Sequence, residues 1–151
     1  MKLFFLIIIH ICSTYSFAQV IKSDEYEIYA TFLSKQYYKN YSVNLGIPIK
    51  YQGTFNFEED FIAQEIHKLP NKIIDKKKLS EMVLQFATSS GENKFIKSGK
   101  VYFSPIFFKT KNEAYFFSVM DYLNRPKEIN LFLKARKFRN RWIIEHYYDI
   151  F

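Results

Sequence analysis

The amino-acid sequence predicts an α+β domain: an N-terminal helix, an edge strand, two short helices, then a four-stranded antiparallel meander. Two observations carry that prediction. Apolar residues recur at helical spacing in the first half of the chain, and from Lys100 onward four β-rich runs are joined by short polar connections. No internal repeat or low-complexity tract interrupts the sequence, so a single domain accounts for it.

The chain opens with an address rather than with a fold. Met1-Lys2 supplies a positive charge, Leu3 to Ile11 is apolar apart from His10, and Ser16-Phe17-Ala18 is a small-x-small site before Gln19. This is the order of a secretory signal peptide, so cleavage is expected after Ala18. Residues 1–18 are then the signal peptide and 19–151 a single α+β domain, secreted or periplasmic. The apolar run is about half the length that crosses a bilayer, so the mature chain is expected to carry no transmembrane segment. Cys12 is the only cysteine, and Ile11 before it and Ile9 at minus three do not suit lipid attachment. Discarding it with the signal peptide leaves no disulfide, no thiolate nucleophile and no cysteine-based zinc site.

Each element has its own signal. Asp24 and Glu27 form a capping-box pattern ahead of Tyr26, Tyr29, Ala30, Leu33 and Tyr37 at helical spacing, which predicts a helix over 23–39. "VNLGIPIKY" alternates strictly, and Pro48 implies that the strand lies at an edge or leaves the sheet there. "FEEDFIAQEIHKL" is helical with acids in its first turn and is ended by Pro70-Asn71. Leu79, Val83 and Phe86 stripe a second short helix over 77–88. The β-rich runs are 100–108, 114–122, 129–137 and 142–149, and their short connections imply a meander with the helices on one face.

Two details of the meander are legible. With Arg139-Asn140 as a two-residue loop, Phe138 opposes Arg141, Lys134 opposes Glu145 and Leu133 opposes His146. Leu131, Leu133, Ala135, Trp142, Ile144, His146 and Tyr148 then share a core face. Between 101 and 123, rings fall on both parities: Tyr102, Phe108, Phe116 and Tyr122 on one, Phe103, Phe107, Tyr115 and Phe117 on the other. An open stacking platform for nucleic acid would carry rings on one face only. Rings on both imply a sheet covered, curled or paired on both sides, and the cover of the second face is the chain's own helices, a second subunit or a ligand.

"FSPIFF", a polar turn, "AYFFSV" and then "LFLKARKFRNRW" followed by Ile143-Ile144 resemble a loosely defined group of small secreted bacterial proteins of unknown function. Their last half reads Ser-x-Ile-x-Phe, turn, Ala-apolar strand, aliphatic strand, Asn-containing charged turn and Trp-x-Ile. "EYEIYATFLSKQY" is similar to their N-terminal helix. Here "DYLNRPKE" stands where many of them carry a Gly/Cys-rich segment. The resemblance implies the fold and export and no activity.

Catalytic patterns are sparse. His67 and His146 show no metal-ligand spacing, and Glu145 beside His146 in a strand points to the opposite face and cannot orient it. No Gly-x-Ser-x-Gly elbow, phosphate-cradling loop or dinucleotide fingerprint occurs, so neither a catalytic residue nor a cofactor is assigned. Glu58-Glu59-Asp60 reads as acids complementing a helix dipole. A pocket enzyme, a hydrolase with residues scattered in sequence, is the alternative to a non-enzymatic binding or interaction module.

The formal net charge of +7 favours polyanions or an anionic surface, although solubility alone would also explain it. The charge concentrates in "KARKFRNR", where Lys134, Arg136, Lys137, Arg139 and Arg141 stand with no acid among them. Arginines beside Phe132 and Phe138 suit phosphate or sulfate groups. The competing reading is a charged hairpin that keeps a sheet edge from aggregating. Lys76-Lys77-Lys78, at a helix start, is either solvent-facing or takes a partner. Expected partners are another protein, an anionic surface, or a second copy of the chain docked through the sheet.

Overall fold

The computed structural model describes residues 19–20, 22–35, 38–45, 57–89, 97–122 and 129–149. The expected signal peptide, Cys12 and residues 46–51 of the expected edge strand lie outside them. The elements are β1 (Gln19–Val20), α1 (Ser23–Lys35), β2 (Tyr38–Leu45), α2 (Phe57–Lys68), β3 (Lys72–Ile73), α3 (Lys76–Ser89), β4 (Lys97–Phe103), β5 (Phe107–Thr110), β6 (Glu113–Tyr122), β7 (Ile129–Phe138) and β8 (Arg141–Asp149). The main sheet has six strands in the order β2-β4-β6-β7-β8, with β5 also on β6, and β1 pairs β3 separately. The α+β class is as the periodicities predict. No helix among the described residues is long and apolar enough to cross a membrane.

The sheet is antiparallel except at one end. β2 runs parallel to β4, with Val43 beside Val101, and ends the strand order, which is the edge position expected of it. The helix before it stops at Lys35 rather than at 39, and β2 starts at Tyr38 rather than at 43. Tyr38, Tyr41 and Val43 are better strand than helix formers, and pairing with β4 offers their backbone a ladder.

The expected strand over 100–108 is two strands. β4 and β5 both pair with β6, and Ser104-Pro105-Ile106 bulges between them. Pro105 has no N–H for a ladder, so the break falls there. Ser104 repairs the gap: its N–H donates to the Phe117 carbonyl at 3.0 Å, and its Oγ accepts the Phe117 N–H at 2.8 Å. The Tyr29 hydroxyl of α1 then donates to the Ser104 carbonyl at 2.8 Å, so the kink also seats a helix.

Helices cover both faces of the sheet, which corrects the one-sided arrangement predicted above. Tyr29, Phe32 and Leu33 of α1 and Leu79 and Val83 of α3 pack against Phe103, Phe116, Leu133, Ala135 and Trp142. Ile62, Ala63 and Ile66 of α2 pack on the opposite face against Tyr115, Phe117, Val119 and Phe132. The rings of 101–123 serve two cores, but Tyr102 and Phe103 are exchanged relative to the parity sets predicted above. Phe103 packs with Phe108 and Phe116 in the first, and Tyr102 with Phe107, Tyr115 and Phe117 in the second, which the chain's own α2 covers.

The start of α1 is capped differently from the expected Asp24/Glu27 box. Glu25 reaches back to the Lys22 N–H at 2.8 Å and also holds the Lys72 ammonium. Asp24 and Glu27 turn to the β7–β8 hairpin instead. Glu27 Oε1 accepts the Trp142 N–H at 2.9 Å, and the Thr31 hydroxyl donates to the Trp142 carbonyl at 3.3 Å. Since β8 is the other edge of the sheet, two side chains one helical turn apart occupy backbone groups that an edge leaves open.

Among the described residues, two buried side-chain groups have no hydrogen-bond partner: the Ser118 hydroxyl and the Trp142 indole N–H. A buried hydroxyl without a partner costs about 1–3 kcal/mol. Ser118→Ala is therefore expected to leave the urea midpoint unchanged or raise stability by about 1 kcal/mol. A loss larger than that in equilibrium unfolding would show that the hydroxyl is bonded.

Candidate functional site

The β7–β8 hairpin carries the basic cluster, and its turn has the predicted length. Arg139 and Asn140 have φ of 48° and 62°, the two positive values of a two-residue turn whose twist matches its strands. Phe138 pairs with Arg141, Lys137 with Trp142 and Arg136 with Ile143. The predicted register fails one step later. Ala135 pairs with Ile144 but Lys134 pairs with His146, so Glu145 is the extra residue of a β-bulge. The expected Lys134–Glu145 and Leu133–His146 pairings are thereby replaced. The His146 side chain, assigned to the core face on the old register, lies outside the described residues.

The five cations divide into two kinds. Lys134 lies 3.4 Å from Glu113 and over the Tyr115 ring. Arg136 reaches Glu145 at 3.5 Å, and Lys137 reaches Asp24 of α1 at 3.0 Å while lying over the Trp142 ring. Arg139 and Arg141, both exposed, have no carboxylate partner among the described residues. The Arg139 guanidinium sits 5.2 Å from the centre of the Phe138 ring.

Glu113, at the start of β6, organises the inner side of this region. It accepts the Tyr115 hydroxyl at 2.5 Å and faces Lys134 and Lys109. These contacts, the tyrosine bond first, hold its carboxyl below the usual glutamate range. Burial, and then the Glu113 bond, push the Tyr115 phenol well above its usual range. Lys109 also pairs with Glu58 of α2, and that bond raises its ammonium pKa. The helix-start acid thus ties α2 to the sheet as well as complementing the helix dipole.

Between the β5–β6 turn and the β7–β8 hairpin lies a cleft of about 400 Å³. Thr110 and Asn112 form one bank, and Arg136, Phe138, Ile143 and Glu145 the other. Phe138 is 59% exposed and Ile143 38% exposed, large apolar side chains left open to water. Directly opposed residues of an antiparallel pair share a face. Phe138 opposite Arg141 and Arg136 opposite Ile143 therefore make a two-by-two chequer of apolar and cationic groups. The alternation of 131–138 placed Phe138 beside the cations, but its exposure and that of Ile143 depend on where α2 stops, which no local pattern records.

The cleft is lined by no histidine, and its nearest phenol is held protonated. His67 is exposed on α2, with its ring stacked 5.6 Å from that of Phe117. No group of three or more His, Asp or Glu side chains that could hold a metal occurs among the described residues. Lys76, Lys77 and Lys78 begin α3, where Asp75 Oδ1 accepts the N–H groups of Lys77 and Lys78 at 3.0 and 3.1 Å. That cap offsets the unfavourable end of the helix dipole, and Lys78 lies over the Tyr26 ring. No protein-family model, curated protein or solved structure matches the chain.

Proposed function

We propose that the chain is an exported, non-enzymatic binding module that recognises an anionic partner through the end of the β7–β8 hairpin. One observation carries this reading: of the five clustered cations, Arg139 and Arg141 have no carboxylate partner among the described residues. Positive φ costs a residue with a Cβ about 1 kcal/mol or more. Asn or Gly would suit the Arg139 position better, so an exposed guanidinium is kept there against local preference. The edge-protection reading loses ground at this end of β8. Glu27 and Thr31 already occupy the edge groups of Trp142, so the arginines are not needed to block pairing there. Export rests on the order of charge, apolar run and small-residue site at the N-terminus.

The test is retention on a heparin column. Binding should weaken as salt rises, because exposed charge pairs are screened within about 10 Å at 0.1 M. Arg139→Glu/Arg141→Glu should abolish retention, while Lys76→Glu/Lys77→Glu, equal in charge change, should leave most of it. Loss in both variants would reduce the effect to net charge, and salt-insensitive retention would refute the reading.

A further inference from the structure

We infer that the partner presents a short acidic peptide segment in which an Asp or Glu flanks a Leu or Phe, and that this segment seats in the cleft at the hairpin end. The inference rests on the reading just given and names the chemistry of its partner.

The case begins with the chequer. An anion that only needed charge would gain nothing from Phe138 and Ile143, which are 59% and 38% exposed. An apolar side chain laid between them would remove both from water, and each Å² of apolar surface covered contributes about 25 cal/mol. Arg141 faces Phe138 across the strands, and Arg139 packs on the Phe138 ring. Two guanidiniums thus stand beside one apolar seat, the spacing of acids next to an apolar residue in a peptide. Arginine is also the side chain that holds a carboxylate with two parallel bonds.

Two other anions fit less well. A sulfated polysaccharide offers a row of charges and no apolar group. The row of cations that would match it is interrupted, because Lys134, Arg136 and Lys137 are engaged by Glu113, Glu145 and Asp24. An anionic bilayer is flat, whereas Ile143 lies in a cleft beside Glu145, whose carboxylate would be pressed against lipid phosphates. A peptide enters a cleft of about 400 Å³, within the range of small-ligand sites, and can place its acids outward on the arginines.

The experiment is fluorescence anisotropy with three labelled peptides on one Gly/Ser frame, carrying Asp-Leu-Asp, Asp-Ser-Asp or Lys-Leu-Lys at the centre. The Asp-Leu-Asp peptide should bind about fivefold to tenfold more tightly than Asp-Ser-Asp, from partial burial of the leucine. The Lys-Leu-Lys peptide should not bind. Arg139→Asn, which keeps a residue at home at positive φ, and Arg141→Gln should each weaken Asp-Leu-Asp binding about tenfold. Phe138→Ser/Ile143→Thr, at exposed positions, should erase the preference for leucine over serine.

Equal affinity for the leucine and serine peptides would overturn the inference. So would heparin retention without peptide binding, or tight binding to phosphatidylglycerol vesicles that the peptide does not displace. Each of these leaves the anionic reading standing. Failure of peptide, heparin and vesicles together would remove both.

Discussion

Lys72→Met is expected to cost about 3–5 kcal/mol, the loss seen when one member of a buried ion pair is removed. The Glu25 carboxylate is buried, and its two bonds go to the Lys22 N–H and the Lys72 ammonium. Without the ammonium, a charge remains in a buried site, where it already helps burial push the Tyr29 phenol well above its usual range. The location amplifies the effect. Lys72 lies in β3, on the connector from α2 to α3, and Glu25 lies in the first turn of α1. The pair therefore ties the connector between the two faces to the helix that seats the main core. Adding Glu25→Gln to Lys72→Met removes the stranded charge and keeps an acceptor for the Lys22 N–H, so the double variant should be the more stable of the two. Urea unfolding of the four species gives the coupling directly. A Lys72→Met midpoint close to that of the parent would mean that water reaches the carboxylate.

How far the sequence could be read depended on the range over which each signal acts. The hairpin turn is local: Asn140 tolerates left-handed φ, alternation does the rest, and the pairing holds through Ala135 with Ile144. One residue later the bulge at Glu145 breaks the register, and a bulge made of an ordinary residue leaves no mark in composition. Ring parity in 101–123 was also a local signal. It implied a sheet covered, curled or paired on both sides, and both faces are covered, although Tyr102 and Phe103 are exchanged between the two sets. It could not name the cover, because the narrow stripe of Ile62, Ala63 and Ile66 suits either side of a sheet equally. The same divide runs through the candidate site. Five clustered cations are visible at a glance, yet the carboxylates that engage three of them come from positions 24, 113 and 145. Which charges remain unneutralised is a property of the fold, and Arg139 and Arg141 emerge only after the others are accounted for.

Phe117→Ala should cost about 3–5 kcal/mol, a large share of the 5–15 kcal/mol that holds a typical domain folded. Phe117 is fully buried, its ring 5.0 Å from that of Phe132 and stacked with the His67 imidazole. Its backbone N–H stays with Ser104 Oγ in the variant, so the loss falls on packing rather than on the ladder. The neighbouring Phe116 is equally buried but faces the other way, with its ring edge-on to Tyr29 and Phe32 of α1. Phe116→Ala should therefore cost a similar amount through a different core, and hydrogen exchange can tell the two apart. In Phe117→Ala, amides of α2 should exchange early while those of α1 and α3 keep their protection. In Phe116→Ala, α1 should be the helix that loosens. If both variants loosen the same helix, the chain has one core and not two. The cleft at the hairpin end would be affected with α2 as well, because Lys109 bridges Glu58 on that helix to Glu113 at the cleft's inner side. Packing on the second face thus supports the geometry on which the proposed recognition depends, and Phe117→Ala should weaken peptide binding before it unfolds the domain.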